Sequence, residues 1–418
     1  MDILTTGEKI KRARIQKDMT LKDLCGKEIS VSKLSTIENS KVQAEEWILK
    51  LIAKRLNLDV EYLKKDMVQE ISDELKSLDS KRSSGSYEDE VRDLIMIANQ
   101  NSLYSQAFMA RLQLIDYYMA KNKTELLTVE ISNLYKTLIR VVNKETLYLY
   151  IYTMAKYLIH TREYYNAAVY LQNLMDHFNE LPELMTNDVK LQIPYMLMQC
   201  YVYTRQYERA SKYATSVKAL MDKTDSKVIL GEIHLLFYIL NSTGELESDA
   251  AADYSKVNNY LADYPEQLAT AKFILAINMI ESGKNKEGYR ELEKAAEIFP
   301  KDKLGESTEL LMSAMEIFAD NKLYDEADKY IDMLVNSAIE NGDTDFMQKA
   351  YYYKGMLLGR KGKFDQAETY MSVSLDLLMK KGRSKELSKR YKDLGKIYYQ
   401  MGNKQEAIKY LSMSVSAG

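Results

Sequence analysis

The chain has 418 residues, 46% apolar and 28% charged, with 4 prolines and 33 tyrosines; this is the composition of a folded chain of two or more units with room for long helices, and it excludes disorder. The net charge of −3 excludes a uniformly basic nucleic-acid binder, but the charge is uneven: residues 1–66 hold 14 Lys and Arg against 11 Asp and Glu, and residues 67–418 hold 44 against 50. A small basic head on an acidic body fits a nucleic-acid-reading domain joined to a different module.

From the N-terminus, MDILTTGEKIKRAR has neither an apolar core nor a small-residue cleavage site, so it reads as no signal peptide and the chain is expected to be cytoplasmic. Apolar residues then recur at helical spacing: Ile10, Ala13 and Ile15, then Leu21 and Leu24, then Leu34 and Ile37, then Ile48, Leu51 and Ile52. Thr6, Thr20 and Ser30 stand just ahead of these stretches as helix starts. The pattern predicts four short helices and a fifth turn at Val60 to Leu63. The second and third are joined by GKEIS, the spacing of a helix-turn-helix.

Gly7, Ile10, Arg14, Thr20, Leu21, Leu24, Ser32, Leu34, Ser35, Ile37, Glu38, Asn39 and the closing Leu51, Ala53 and Leu56 together resemble the Xre/Cro/phage-repressor helix-turn-helix family over residues 1–66. Ser40 stands where that family usually has Gly, Ala44 or Glu45 where it has Pro, and Leu21 where a polar residue opens the second helix. Leu34 and Ile37 must face the core, which turns Val31, Ser32, Lys33, Ser35 and Thr36 outward. Short polar side chains there reach base edges in the major groove. The resemblance makes Val31, Ser32 and Thr36 the base readers, with Lys33, Arg12, Arg14, Lys17 and Lys41 on phosphate. Glu38 reads as structural, a partner for Arg14 or a cap on a neighbouring helix.

Residues 67–90 form a connector. Met67, Ile71, Leu75 and Leu78 make one stripe of an amphipathic helix, and the Ser/Gly-rich stretch 79–86 reads as a hinge.

Residues 91–418 carry an internal repeat. Ala327, Ala367 and Ala407, in LYDEADKYI, KFDQAETYM and NKQEAIKYL, stand at intervals of 40, and Gly355 and Gly395 each precede their alanine by 12. A small residue on one helix against a small residue early in the next resembles the tetratricopeptide repeat. Further units centre on Gly288, Ala210 and Ala167, with a weaker one near Ala250 and a degenerate one before residue 145. The fold class is therefore all-α: a helix-turn-helix domain followed by a right-handed tetratricopeptide solenoid. Taking the first-helix small residue as a register mark puts Tyr195, Gln199, Tyr203, His234, Tyr238, Asn241, Phe273 and Asn278 on the concave face. Glu309, Glu316 and Asp320 follow as an acidic stretch, and Lys349, Tyr352, Arg360, Lys392 and Lys396 follow as a basic one near the C-terminus. Amides that satisfy backbone N–H and C=O, tyrosines with large area and few rotors, and charges for the two ends suit a short extended peptide.

The longest apolar run, Ile233 to Leu240, falls well short of the roughly 20 residues needed to cross a bilayer. Cys25 and Cys200 are isolated and read as reduced, buried thiols. The three histidines have no metal-ligand spacing, and no phosphate loop or nucleophile motif occurs. No metal, cofactor or catalytic residue is expected, and the chain is not read as an enzyme.

A phage-repressor-like head before a long tetratricopeptide array resembles the RRNPP family of peptide-pheromone receptors of Gram-positive bacteria, its PlcR and NprR branch above all. The resemblance implies a homodimer that presents two heads to an operator in double-stranded DNA. It also implies control by a short signalling peptide held in the repeats, as in quorum sensing. The alternative it leaves open is a repeat domain that regulates a protein partner such as a phosphorelay component, with or without DNA binding.

Overall fold

The computed structural model describes residues 3–417 apart from 181–185, 248, 299–307, 343 and 381–383. Among these, every regular element is helical. The head holds α1 (Thr6–Gln16), α2 (Leu21–Cys25), α3 (Val31–Glu38), α4 (Glu46–Leu56) and α5 (Val60–Lys64). The first three begin on hydroxyl caps. Thr5, one residue earlier than expected, and Thr20 each form a reciprocal box with Glu8 and Asp23, and Ser30 accepts from Lys33 N. Ile10, Leu24, Leu34, Ile37, Ile48, Ile52 and Leu56 are fully enclosed in one core, so the predicted apolar stripe is what folds the head. Gly7 is required there: a Cβ would strike the carbonyls of Ile37 and Glu38, where α1 crosses the end of α3.

Next comes α6 (Met67–Asp79), starting on an Asp66–Gln69 capping box. Its Ile71, Leu75 and Leu78 are buried with Tyr87, Val91, Leu94 and Leu114 of the first two repeat helices, Tyr87–Gln100 and Tyr104–Ala120. The expected hinge differs from expectation. Residues 80–86 are an exposed loop closed by hydrogen-bonded turns (Lys81 N to Leu78 O 2.8 Å, Ser84 N to Lys81 O 2.9 Å), and the helix before it is part of the repeat core. Its apolar stripe is buried mainly by the first two repeat helices, with Ile3 packed against the same cluster.

The remaining helices form hairpins. Compactness divides the chain at Met1–Arg205 and Gln206–Gly418. The first unit contains the pairs Tyr104–Ala120 with Thr124–Val141 and Lys144–His160 with Tyr164–Asp176, then Asn187–Tyr203. The second contains Lys227–Ser242 with Ala250–Tyr260, Pro265–Glu281 with Asn285–Ile298, Thr308–Asp320 with Tyr324–Asn341, Thr344–Arg360 with Phe364–Met379, and Ser384–Gln400 with Lys404–Ser416. Within them the small-residue pattern is a contact. A Cβ on Gly395 would lie 2.9 Å from Leu411 Cγ and 3.3 Å from the carbonyl of Ala407, and one on Gly355 would lie 3.0 Å from that of Ala367. Asn122, Arg162, Gly244, Gly283, Lys322, Gly362 and Gly402 hold positive φ at the turn between paired helices.

Candidate DNA-reading helix and repeat surfaces

The outward face of α3 is as the sequence predicts. Leu34 and Ile37 are 0% and 1% exposed, Val31 and Ser32 are open, and Lys33, Ser35 and Thr36 are half-buried. Thr36 Oγ1 donates to the Lys33 carbonyl at 2.8 Å, leaving its lone pairs as acceptors. Ser35 gives its carbonyl to Asn39 Nδ2. Arg12, Lys17 and Lys41 are exposed on the same domain.

Arg14 is corrected. Its Nε and Nη2 donate to the two oxygens of Glu38 at 2.7 and 2.9 Å, and Nη1 donates to the Met19 carbonyl at 2.9 Å. The pair is nearly enclosed, and the Glu38 bond raises the arginine's pKa above its ordinary value. A fork spent on a buried carboxylate is a structural bridge between α1 and α3 and not a phosphate contact. Lys33 is also engaged: its Nζ lies 2.7 Å from Glu45 Oε1 and 5.7 Å from the ring of Trp47. Trp47 Nε1 donates to the other Glu45 oxygen at 2.6 Å. Trp47 is 48% exposed; nothing in the spacing singles it out, because an aromatic at the first turn of a core-forming helix reads as core.

Ser40 explains the family's glycine. It holds φ +55°, the left-handed region where a Cβ is penalised, and its hydroxyl lies 2.7 Å from Thr5 Oγ1.

In the first unit, Tyr195 is 5% exposed, and Gln199 and Tyr203 are half-buried. Tyr203 packs edge-on against Tyr164 at 5.0 Å. Neighbouring Gln192 accepts from Tyr152 OH at 2.6 Å. These are contacts between successive repeats.

In the second unit most of the expected concave residues are turned inward. His234 is 4% exposed, bonded to Asp253 Oδ1 at 2.8 Å and stacked on Tyr260. Phe273 belongs to the core with Leu292, Ala295 and Phe318. Tyr238 is 8% exposed and lies against Tyr254, and burial pushes its hydroxyl pKa up. Asn278 accepts from Ser242 Oγ at 2.8 Å, and Asn241 Nδ2 donates to the Leu246 carbonyl at 3.1 Å, closing the turn after its helix. His234, Phe273, Tyr195, Tyr238 and Asn278, all buried, are therefore corrected from ligand contacts to packing residues. The register fails because helices gripped from both sides have an apolar arc wider than one stripe. Glu309 lies outside the residues whose side chains are described. Glu316, Asp320, Lys392 and Lys396 are exposed, with Lys396 2.8 Å from Asp393, and Arg360 reaches Asp320 at 2.6 Å.

Tyr352, expected on the concave face, is corrected too: it is 2% exposed and belongs to a buried cluster near the C-terminus. The Arg390 guanidinium lies 3.4 Å over the Tyr352 ring and donates Nη2 to Gln348 Oε1 at 2.9 Å, while Tyr352 OH donates to Asp393 at 2.6 Å. No spacing rule marks it, because its members lie about one repeat apart. Burial lowers the pKa of Arg390 and drives that of the Cys200 thiol up to about 12. Cys25 is buried as well.

Among the described residues no group of His, Cys, Asp and Glu has the arrangement of a metal site, and no helix is long and apolar enough to cross a membrane.

No protein-family model and no curated protein matches the sequence. Solved structures do. A Rap protein complexed with Competence and Sporulation Factor superposes with a TM-score of 0.53, at 13% identity, over 84% of this chain and 98% of that one. PlcR of Bacillus thuringiensis, solved with the peptide PapR7 and DNA, is 15% identical over 65% of this chain and 98% of its own, with a TM-score of 0.37. Apo NprR from B. thuringiensis is 13% identical over 74% and 98%, also at 0.37. The Rap likeness shows the fold: this chain is an all-α array of the same helical-repeat architecture.

Proposed function

We propose that this chain is a transcription regulator of the RRNPP type: its head binds an operator in double-stranded DNA, and its repeats bind a short signalling peptide that controls that binding. The observation that carries the reading is α3. It is an eight-residue helix whose inner edge is fixed by Leu34 and Ile37 and whose outer edge offers Val31, Ser32 and Thr36, with Lys33 beside them. Lys17, Lys41 and Arg12 are exposed basic side chains of the same domain, while Arg14 holds the domain together. For the peptide, the first helices of the second unit carry exposed charges: Glu316 and Asp320 in one pair, the latter bonded to Arg360, and Lys392 and Lys396 in another, the latter bonded to Asp393. Charges of opposite sign suit the two ends of a peptide. Peptide and DNA both bind as partners of one cytoplasmic homodimer in this reading, with no cofactor.

Selection of duplexes from random-sequence DNA by the full chain tests it. The expected result is an enriched motif and binding that weakens steeply with salt. If no motif emerges while the repeats retain a phosphorelay protein, the reading gives way to the alternative in which the array regulates a protein partner.

A further inference from the structure

A buried lysine of the head reaches the helix that completes the first repeat core. Lys9 lies on α1 and is 2% exposed. An ammonium group has three N–H donors and no acceptor, and here every donor is matched. The carbonyl of Tyr62 lies at 2.9 Å, that of Lys65 at 2.6 Å, and Glu70 Oε1 at 2.5 Å. The Tyr62 ring covers the group at 4.8 Å. Tyr62 and Lys65 belong to the end of α5, and Glu70 to the first turn of α6. The second Glu70 oxygen accepts from the backbone N–H of Leu4 at 3.1 Å, just before α1. Three segments of the chain thus meet on one charge.

The helix that carries Glu70 is the same helix that completes the first repeat core. Ile71, Leu75 and Leu78 are buried against that hairpin, and Gln113 donates to the Leu75 carbonyl at 3.2 Å. One turn of α6 therefore grips the head while its apolar stripe grips the repeats. A buried ion that loses one partner is strongly destabilised, so this joint has one geometry and little slack. An exposed lysine pair would leave the head free to swivel about residues 57–66.

The geometry points to Lys9 and Glu70 as positioning residues that couple the head to the repeat body and fix the direction in which α3 is presented. A rearrangement within the first hairpin is then delivered to α3 as a rigid rotation. That consequence rests on α3 being the DNA reader; the clamp does not.

Trp47 supplies the measurement. It is the chain's one tryptophan, it lies in the head, and Glu45 holds its indole. Time-resolved fluorescence anisotropy of the full chain should show Trp47 tumbling with the whole particle. Glu70→Ala should add a nanosecond component, the motion of a released small domain. Glu70→Gln, which keeps an acceptor oxygen, should restore most of the slow decay. Lys65→Ala, which removes only the exposed pair with Asp73 and keeps the Lys65 carbonyl, should behave as wild type. Lys9→Met should match Glu70→Ala; if it unfolds the head, seen as a shift in Trp47 emission, the two Glu70 variants decide. Identical decays in wild type and Glu70→Ala overturn the proposal, as does a Lys65→Ala head as loose as that of Glu70→Ala. On a duplex selected by the wild type, Glu70→Ala should keep the sequence motif and lose affinity. A wild type that selects no duplex defeats the DNA reading, and the anisotropy still decides the clamp.

Discussion

Two basic residues of the head, 27 positions apart in sequence, separate fold from contact. Arg14 and Glu38 form a two-bond pair with Glu38 4% exposed. Arg14→Ala strands a buried carboxylate, so it should cost about 3–5 kcal/mol of head stability, read from unfolding followed at Trp47. Lys41 has an exposed side chain, and its backbone N–H, which the substitution keeps, donates to the Thr36 carbonyl at 2.9 Å. Lys41→Ala should leave unfolding unchanged and lower the salt dependence of DNA binding by about 0.9 in the log–log slope. Sequence alone placed both residues on phosphate while also offering Glu38, 24 residues on, as a structural partner for Arg14; spacing does not say which of the two uses of the arginine wins. The α3 face was legible for the opposite reason: two core residues three apart leave only one way to turn the helix.

At the scale of elements, the hairpins rest on close helix crossings and on turns that need positive φ. Gly355 lies against Ala367 and Met371, so Gly355→Ala should overpack the crossing and cost about 1–3 kcal/mol in thermal or denaturant unfolding. Lys322 is exposed at φ +61°, where four other hairpin turns place glycine. Lys322→Gly should relieve about 1 kcal/mol of left-handed strain, partly offset by the freer unfolded chain, and so raise the melting temperature slightly. Acid should act on the second unit through Glu291, which is buried with Lys272 and receives bonds from Lys294 and Tyr254. Burial alone would raise its pKa, but these partners hold it below the ordinary carboxylate value. A depressed folded-state pKa stabilises above the unfolded value of about 4.3 and is lost as pH falls through the folded value. A melting series should therefore show a decline below about pH 4 that Glu291→Gln reduces. The 40-residue period was legible because glycine and alanine recur where backbones touch. The concave register was not, because His234 is bonded within its hairpin, Asn278 across to the preceding one and Asn241 to the turn after its helix, and polarity alone does not say which way a residue faces.

For the whole molecule, the connector decides how the parts communicate. Its composition suggests a flexible spacer, yet α6 is shared between the head clamp at Glu70 and the repeat core at Ile71, Leu75 and Leu78. A Ser/Gly-rich stretch marks a bend in the chain, and only packing tells a bend from a swivel. The head would then be an extension of the first hairpin, and a peptide that shifts the repeats would act on DNA without an intermediate disordered segment.

The central claim, that α3 reads DNA sequence while the surrounding lysines supply charge, is tested most directly by comparing two variants of the full chain on duplexes selected from random-sequence DNA. Ser32→Ala combined with Thr36→Ala should change the preferred sequence, with a loss of about 1–3 kcal/mol for each base contact removed, and leave the salt slope as it was. Lys41→Ala should keep the preferred sequence and reduce the slope. If the Ser32 and Thr36 double variant selects the same motif with the same discrimination as wild type, α3 is not the reader and the account of the head is wrong.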